Sequence, residues 1–552
     1  MARHGGRILA DQLALHGVRR VFSVPGESFL AALDGFLDAG IENIVCRHEG
    51  GAAMMAEATG KLTNRPGVAF VTRGPGATNA SAGIHVARQD STPMILFVGQ
   101  IARGHRDRGA FQEVDFRAMF APLAKWAAEI DDTARIPEYV GRAVHEAMAG
   151  RPGPVVLSLP EDMLSDLADV PDLPPAPLPL AAVPGAAVAA VEEALAQAHR
   201  PLVVVGGPLW TAAAAADLGR FAGARGLPVA ATFRRQDYLD NHHSSYVGDL
   251  GVGMNPKLGA RLAEADLILA LGTRLGDTAT NGYELMDPAR PGPRIVHVHP
   301  DPGEPGRVWR PALSIAAHAP DLLAALAGRN AEPGPWADWA AALRADYEAW
   351  QAPRETPGAV KMEAVVRWLS DHLPEDAVVT NGAGNYAAFL HRYFRWKGFR
   401  TQVAPTSGSM GYGFPAAIAA ALEHPGRTVV CLAGDGCFQM TLNEMSTARQ
   451  YGAQVIVIVA NNGRYGTIRM HQERHYPERV SGTDLMNPDF AALARAYGGH
   501  GETGADGADF PVAFARAQAP GLPAVIELRL DPEALTTSMT LAEVRAQGLS
   551  RA

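Results

Sequence analysis

Short apolar runs alternate with longer amphipathic stretches along most of the chain, and this pattern predicts buried strands that alternate with covering helices. Continuous apolar runs of four to seven residues are typical of parallel sheets that are covered on both faces. The runs predicted as strands are 20–24, 44–47, 68–72, 94–99, 155–159, 202–205, 229–232, 267–270, 295–299, 377–380, 429–432, 455–459 and 525–528. The fold class is therefore predicted as α/β, with mainly parallel sheets.

Two proline-rich stretches divide the predicted elements into three blocks of similar size. Residues 171–185 contain six prolines in fifteen positions and are expected to form an extended linker. Residues 331–358 have prolines near both ends and predict a second connector that carries a helix. We therefore expect three doubly wound domains, at residues 1–170, 186–330 and 358–535. The three blocks share the same predicted architecture, although no sequence repeat relates them.

Composition narrows the class of protein. The chain has 552 residues, of which 47% are hydrophobic and 19% charged, so packed cores are expected rather than disorder. A net charge of -9 argues against a broadly basic nucleic-acid binder. Three cysteines without C-x-x-C spacing predict neither a disulfide framework nor a zinc site. No apolar run approaches the length of a membrane span or a signal peptide, so we expect a cytoplasmic protein without a membrane partner.

The candidate chemistry lies in two turns, Gly434-Asp435-Gly436 and Asn461-Asn462-Gly463. Each follows a predicted buried strand, and the two strands are expected to be parallel and joined by a right-handed crossover. Asp435 and Asn462 would then lie at the ligand-binding edge of one sheet, where a carboxylate and an amide oxygen suit Mg²⁺. Backbone N–H groups of these turns could hold a phosphate. The alternative is that each sequence is an ordinary turn.

A helix is expected between these two strands. Thr441 and Glu444 match the T-x-x-E spacing of a capping box, so we predict that the helix begins there. Its end is predicted near Gly452.

G-D-G followed after 24 residues by N-N resembles the diphosphate-binding motif of thiamine diphosphate (ThDP) enzymes. Segments 21–33, 47–62 and 74–100 resemble the pyrimidine-binding domain of that family, and 406–422 resembles the segment that precedes the metal motif. The middle block resembles the family's central domain. The resemblance spans the whole chain and is strongest to the branch of acetolactate synthases, 2-oxo-acid carboligases and decarboxylases.

The resemblance implies roles for particular residues. A glutamate at the position of Glu49 hydrogen-bonds the pyrimidine ring of ThDP and promotes removal of the thiazolium C2 proton. Glu57, on the same predicted helix, is expected on a polar face. Asp435, Asn462 and the backbone carbonyl of Arg464 match Mg²⁺ ligands. The positions that match cofactor contacts are Pro25, Gly26, Glu49, Asn79, Asn385, Tyr386, Gly408, Met410, Gly434, Asp435, Gly436, Cys437, Asn462, Arg464, Tyr465 and Gly466.

The implied reaction decarboxylates a 2-oxo acid such as pyruvate and transfers the resulting enamine to a second carbonyl compound. Phe111 and Gln112 match a substrate-channel segment of acetolactate synthases, whereas His471 stands where those enzymes usually have tryptophan. Thr278 stands where flavin-containing members have an arginine, so FAD is doubtful.

Three alternatives to a carboligase differ in chemistry. The first is a non-oxidative 2-oxo-acid decarboxylase or aldehyde lyase of benzoylformate decarboxylase or benzaldehyde lyase type. The second is a non-catalytic, ADP-binding relative, which retention of Glu49, Asp435 and Asn462 disfavours. An NAD-dependent dehydrogenase is rejected because residues 74–79 lack the third glycine of G-x-G-x-x-G. Since the family builds each site from two subunits, the resemblance implies a homodimer or homotetramer.

Overall fold

The computed structural model describes most of the chain. The described residues are 2–178, 183–290, 292–329, 331–504 and 507–551. The predicted linker 171–185 lies partly outside them, and its residues 171–178 have no regular secondary structure.

The first part of the chain forms a six-stranded parallel sheet, which a two-residue antiparallel pair accompanies. Its strands are β1 (Arg3–His4), β2 (Arg20–Ser23), β3 (Glu42–Val45), β4 (Gly67–Val71), β5 (Met94–Gln100), β6 (Trp126–Glu129), β7 (Pro154–Pro160) and β8 (Leu167–Ala168). Its helices are α1 (Gly5–Leu15), α2 (Leu30–Ala39), α3 (Glu49–Thr63), α4 (Pro75–Asp90), α5 (Phe116–Phe120), α6 (Ile136–Met148) and α7 (Glu161–Ser165). The sheet order is β3-β2-β4-β5-β7-β6, with β1 paired to β8.

The middle part forms a second six-stranded parallel sheet with its own apolar core. Its strands are β9 (Pro201–Val205), β10 (Val229–Thr232), β11 (Tyr246–Leu250), β12 (Leu267–Leu271), β13 (Arg294–His299) and β14 (Leu313–Ala316). Its helices are α8 (Gly185–Ala196), α9 (Ala212–Arg225), α10 (Pro256–Glu264), α11 (Ala319–Ala327) and α12 (Ala337–Trp350). The order β11-β10-β9-β12-β13-β14 changes direction between β9 and β12.

The last part forms a third parallel sheet. Its strands are β15 (Val378–Asn381), β16 (Gln402–Val403), β17 (Val429–Gly434), β18 (Ile456–Asn461), β19 (His500–Gly504) and β20 (Ala524–Arg529). Its helices are α13 (Met362–His372), α14 (Tyr386–Tyr393), α15 (Gly413–Glu423), α16 (Asp435–Gln439), α17 (Met445–Gln450), α18 (Gly466–His475), α19 (Phe490–Ala496), α20 (Phe510–Gln518) and α21 (Leu541–Leu549). None of the helices in the described ranges is both long and apolar enough to cross a bilayer.

The first and third sheets share one strand order. The third sheet reads β16-β15-β17-β18-β20-β19, so both sheets follow the order 2-1-3-4-6-5 when their own strands are counted from one. In each sheet the chain reverses direction between its first and third strands, and open α/β sheets bind ligands at that switch point. The predicted class, α/β with three doubly wound parallel sheets, is confirmed.

Every run predicted as a strand is a strand, but seven other strands in the described residues were missed: the two-residue strands β1 and β8, and five members of the six-stranded sheets. The five sheet members are β6, β11, β14, β16 and β19, and each is an edge strand of its sheet. An edge strand is paired on one side only and need not be a continuous apolar run. Strand β19, with the sequence His-Gly-Glu-Thr-Gly, has no apolar residue at all.

The first and third domains pack together through α3 and α15, whose buried small residues belong to one apolar core. Ionic groups are buried beside this core. The ammonium of Lys61 lies 3.0 Å from Glu57 and 3.0 Å from the carbonyl oxygen of Ala404, and it also pairs with Asp90. The expectation that Glu57 lies on a polar face is wrong, because its side chain is fully buried and the Tyr412 hydroxyl donates to it. Lys61 therefore joins helices of the first domain to the third.

The carboxylates on either side of Lys61 differ in their ionisation. Burial raises the pKa of Glu57 above its ordinary value. Burial alone would also raise the pKa of Asp90, but the charges of Lys61 and Arg235 and the hydrogen bonds from Lys61 and Thr406 together lower that pKa. Asp90 is therefore the charged partner of Lys61.

The predicted capping box is wrong. The segment after Asp435 is broken into α16, a 3₁₀ turn at 442–444 and α17, and Thr441 caps nothing with its side chain. The buried Glu444 carboxylate instead accepts backbone N–H groups of Arg47 and His48, at 3.0–3.2 Å, and the Thr447 hydroxyl. Burial raises the pKa of Glu444. Glu444 thus binds the residues that precede α3 in the first domain, which sequence spacing could not indicate.

We predict that Lys61→Met destabilises the protein strongly, because it removes the cation and leaves carboxylates buried without it. Breaking a buried pair by removing one partner costs about 3–5 kcal/mol. Denaturant titration should show a lower midpoint for the first unfolding transition. The control is Lys257→Met, since Lys257 is exposed and pairs with Asp346 at the surface, where about 1 kcal/mol or less is expected. Equal effects of the two substitutions would contradict the prediction.

Candidate active site

The carboxyl edge of the third sheet brings Asp435 and Asn462 together. Strands β17 and β18 are parallel neighbours, and Gly434 is paired with Ala460. Asp435 begins α16 directly after β17, and Asn462 follows the last residue of β18. The neighbouring strands on which the predicted magnesium site depends are therefore present.

The Asp435 carboxylate is held in a fixed orientation. One oxygen accepts the Gly436 N–H at 2.9 Å, and the other accepts the Gly463 N–H at 2.9 Å. Burial raises the pKa of Asp435. Asn462 Oδ1 accepts the Arg464 N–H at 3.2 Å, which turns the loop after β18 back over the site. The carboxylate and amide oxygens of Asp435 and Asn462 are preoriented and mostly buried, and together they form a donor set that fits Mg²⁺.

Sequence reasoning missed Asn487. Its Nδ2 donates to Asp435 Oδ2 and to Asn461 Oδ1, both at 2.7 Å, and Gln439 donates to its Oδ1. Asn487 therefore orients the carboxylate from outside the two motifs. The Asn-Pro dipeptide at 487–488 indicates a turn, but no spacing rule connects it with Asp435.

A cavity of about 250 Å³ opens at this edge, above the switch point between β15 and β17. Its lining includes every residue of the third domain that the resemblance assigned to the cofactor. These are Asn385, Tyr386, Gly408, Met410, Gly434, Asp435, Gly436, Cys437, Asn462, Arg464, Tyr465 and Gly466. The mixture of apolar walls with a few convergent polar groups is typical of a small-molecule site.

Glycines let the walls of the cavity approach each other. A Cβ on Gly434 would lie 2.9 Å from the Tyr386 ring, and one on Gly436 would lie 2.6 Å from the Tyr465 ring. Contacts this short are sterically forbidden, so larger residues at these positions would displace the wall. The two glycines of the G-D-G motif are therefore required by close approach of neighbouring side chains.

Tyr386 and Cys437 form part of the floor. The Tyr386 hydroxyl donates to Cys437 Sγ at 3.3 Å, and the Gly411 N–H donates to the same sulfur at 3.2 Å. Burial raises the pKa of Tyr386 well above its ordinary value, so its hydroxyl remains a donor at neutral pH. These contacts tie the loop that carries Met410 to the start of α16.

The predicted residues of the first domain form a second group. Glu49 is the first residue of α3, as predicted, and its half-buried carboxylate accepts from Asn79 Nδ2 at 3.0 Å. A Cβ on Gly76 would lie 3.5 Å from the other Glu49 oxygen. Pro25 and Gly26 follow β2, so this group lies at the carboxyl edge of the first sheet.

The three predicted substrate residues lie apart from the cavity of the same chain. Gln112 adopts a left-handed φ of 63° and packs against Gly74 in the first domain, while the adjacent Phe111 side chain is 76% exposed. His471 is exposed on α18, where its ring is nearly parallel to that of His475. None of the three belongs to the residues that line the cavity.

One chain thus contains two separate groups of predicted site residues, one in the first domain and one in the third. The residues lining the cavity range from Ala383 to Leu535, and none comes from the first domain. The Glu49 carboxylate has its hydrogen bond within the first domain.

A separate polar cavity of about 250 Å³ lies between the central domain and the first domain. The segment that was compared with the flavin motif, Gly272–Thr278, supplies part of its lining, and Arg235, Arg274 and His299 contribute as well. Thr278 thus lines this cavity at the position where the flavin motif would place its second arginine.

Comparison with protein families identifies the class of the chain. Three family models match it, described as the N-terminal TPP binding domain, the central domain and the C-terminal TPP binding domain of thiamine pyrophosphate enzymes. They match residues 3–119, 188–326 and 382–528. Together with relatives that align over most of the chain, these matches show that the chain belongs to the thiamine pyrophosphate (thiamine diphosphate) enzyme family, as the sequence motifs indicated.

Within that family the chain is similar to acetolactate synthases. The acetolactate synthase large subunit of Parasynechococcus marenigrum is 33% identical over 517 residues, which cover 90% of this chain and 82% of that protein. Acetolactate synthase isozyme 2 large subunit of Escherichia coli is 31% identical over 504 residues, which cover 90% of each. The large subunit of Haemophilus influenzae is 32% identical over 515 residues, covering 90% of this chain and 88% of that protein.

We predict that Asp435→Asn weakens binding of Mg²⁺ and ThDP, because the variant loses the one carboxylate of the donor set. The expected loss is at least about 100-fold in affinity, as for removal of a key metal-site group. Titration of the protein with ThDP at fixed Mg²⁺, followed by calorimetry, measures it. Asp484→Asn is the matched control, since Asp484 is exposed on the segment that pairs with Arg464. An unchanged affinity in Asp435→Asn would exclude Asp435 as a ligand.

Proposed function

We propose that this chain is a ThDP- and Mg²⁺-dependent enzyme of acetolactate synthase type. In this proposal it decarboxylates a 2-oxo acid such as pyruvate and transfers the remaining acyl unit to a second carbonyl compound. The observation that carries the proposal is the cavity at the switch point of the third sheet, which combines Asp435 and Asn462 with glycine-rich walls. The similarity to acetolactate synthases over 90% of the chain supports it.

We assign the cofactor's two ends to two domains. Residues 1–170 would form the pyrimidine-binding domain, 186–330 the central domain and 358–535 the diphosphate-binding domain. Asp435, Asn462 and the carbonyl oxygen of Arg464 would hold Mg²⁺, and N–H groups at the start of α16 would hold diphosphate oxygens. Gly408, whose φ of 68° suits glycine, and Met410 would support the aminopyrimidine.

Glu49 would be the catalytic residue. When bound, ThDP would supply a carbon acid at thiazolium C2, whose deprotonated form can attack the carbonyl group of a 2-oxo acid and whose ring can accept the electron pair released on loss of CO₂. Glu49 would hold and share a proton with the pyrimidine ring. Asn79, which donates to Glu49 Oε2, would keep the carboxylate in the required orientation.

We propose that two copies of the chain complete each site, as a homodimer or as a dimer of dimers. The Glu49 group and the cavity lie at the edges of different sheets of one chain, and no residue of the first domain lines the cavity. Exposed apolar side chains near the two groups, such as Phe111, Ile468 and Met486, favour a partner chain at these surfaces. Phe111 and Gln112 of one copy would then approach the cofactor of the other.

The alternative is a non-oxidative decarboxylase or aldehyde lyase with the same cofactor. His471 favours it, because an imidazole in place of a tryptophan could protonate the product rather than enclose an acceptor. Incubation with pyruvate, ThDP and Mg²⁺ distinguishes the two. Acetolactate as the product supports the carboligase, whereas free acetaldehyde as the sole product supports the decarboxylase. The absence of turnover with any 2-oxo acid would refute both.

We predict that Glu49→Gln lowers kcat by about 100- to 10,000-fold, the range for loss of a general acid–base group. Affinity for ThDP should change little, since the diphosphate is held elsewhere. The slowed step is visible as slower exchange of the C2 proton with deuterated water. Glu42→Gln is the control, because Glu42 lies at the surface of the same domain and pairs with Arg20. Unchanged C2 exchange in Glu49→Gln would refute the assignment.

The two-chain site makes a further prediction. Glu49→Gln and Asp435→Asn chains should each be inactive alone, but coexpression should restore about a quarter of the wild-type activity. Random association makes half of the dimers mixed, and each mixed dimer has one site with neither substitution. If both groups acted within one chain, the mixture would remain inactive. Separate tags on the two chains allow purification and assay of the mixed dimer.

A further inference from the structure

Arg234 of the central domain has an unusual backbone conformation and environment. It follows β10 with a left-handed φ of 61°, a region that non-glycine residues rarely occupy. Its side chain is nevertheless 98% buried, since only 2% is exposed. Backbone strain of this kind persists where surrounding contacts hold it, and it clusters at functional sites.

Those contacts reach the two loops that line the cofactor cavity. Arg234 Nη2 donates to the carbonyl oxygen of Gly382 at 2.7 Å, and Nη1 donates to that of Pro405. Pro405 O also accepts the Gly408 N–H at 3.1 Å, so one oxygen fixes both the arginine and the turn before Met410. A residue of the central domain therefore holds a loop from β15 and a loop from β16 against each other.

Gly382 connects Arg234 with side chains that line the cavity. A Cβ at Gly382 would lie 2.5 Å from Cys437 Sγ and 3.3 Å from the Tyr386 hydroxyl, so its backbone packs directly on these two side chains. Both side chains line the cavity. The guanidinium therefore contacts a backbone group that packs on the wall of the cavity.

The charge of Arg234 has no direct counter-ion. Within the described ranges no carboxylate lies within ion-pairing distance of it, and its Nε–H has no hydrogen-bond partner. Two other buried arginines are paired, Arg73 with Glu161 and Arg225 with Glu192, whereas within the described residues the adjacent Arg235 makes no ion pair either and donates to the carbonyl oxygen of Arg234. Burial lowers the pKa of Arg234 to about 10, which leaves the guanidinium charged at neutral pH. The Asp90 carboxylate attracts Arg234 from beyond ion-pairing distance. A buried charge without an ion pair is costly unless an anion offsets it.

We propose that Arg234 is a positioning residue for the cofactor: its guanidinium clamps the loops at Gly382 and Pro405, and its unpaired charge favours the anionic diphosphate in the adjoining cavity. This inference rests on the proposed function, since it assumes that the cavity holds ThDP. It also gives the central domain a part in cofactor binding, although that domain contributes no residue to the cavity lining.

The test is Arg234→Gly in the full-length chain. Glycine accepts the left-handed φ without strain, so the backbone should keep its course while the guanidinium is lost. We expect affinity for Mg²⁺–ThDP to fall about 10- to 100-fold, as for removal of a charged hydrogen-bond donor. Calorimetric titration with ThDP at fixed Mg²⁺ measures the loss, and kcat at saturating ThDP should fall less than the affinity.

Restoring the ThDP affinity of Arg234→Gly with small molecules tests whether the charge or only the shape of the guanidinium group is required. Millimolar guanidinium chloride, far below denaturing concentrations, should restore much of the affinity of Arg234→Gly. Urea has nearly the same shape and donors but no charge, so it should restore much less. Arg344→Ala is the matched control, since Arg344 also donates to three backbone carbonyls of the central domain, far along the chain from the cavity. It should lower stability without changing the affinity for ThDP.

The outcomes distinguish this inference from the proposed function. Wild-type protein that fails to bind Mg²⁺–ThDP would refute the proposed function itself. Wild-type binding together with unchanged affinity in Arg234→Gly would refute the clamp alone. Equal restoration by urea and guanidinium would refute the role of the charge. A loss of affinity in Arg344→Ala equal to that in Arg234→Gly would show general destabilisation and also overturn the inference.

Discussion

The handedness of parallel crossovers is the constraint on which the rest of the structure depends. Because each strand–helix–strand unit is right-handed, the carboxyl ends of β15, β17 and β18 meet at one edge of the third sheet. This topology therefore brings together Asp435, Asn462 and the loop of Gly408. The cavity follows from topology, while glycines determine how closely its walls approach.

A second level of organisation joins the first and third domains of one chain. The apolar contact of α3 with α15 is reinforced by buried polar groups on both sides, with Lys61 at one end and Glu444 near the start of α3. These contacts hold the helix that begins with Glu49 in a fixed position relative to the G-D-G turn of the same chain. If each site is shared between two copies, as proposed, every chain links two sites rigidly.

The sequence was sufficient for the α/β class, for the inner strands of each large sheet and for the position of the G-D-G and N-N-G turns, because these depend on local signals: continuous apolar strands and turn residues at their ends. Five of the six edge strands of the large sheets were missed because they are paired on one side only and are not continuous apolar runs, whereas β3 was predicted. The misjudged residues share another cause. Glu57, Glu444, Asn487 and Arg234 are polar residues whose partners lie far away along the chain, in another domain or beyond another motif. Their local sequence resembles a solvated surface, and only the tertiary structure shows that Glu57, Glu444 and Arg234 are buried and that Asn487 is partly buried.

The common strand order of the first and third sheets makes α3 and α15 topological counterparts, since each is the helix that follows the second strand of its sheet. The two domains therefore meet through corresponding surfaces, as two subunits do across a twofold axis. The loops before these helices are counterparts too. One ends at the glutamate, and the other contains Met410. A single chain is in this sense an internal pseudo-dimer, and under the proposed function the same place in the fold would carry acid–base chemistry in one half and cofactor support in the other.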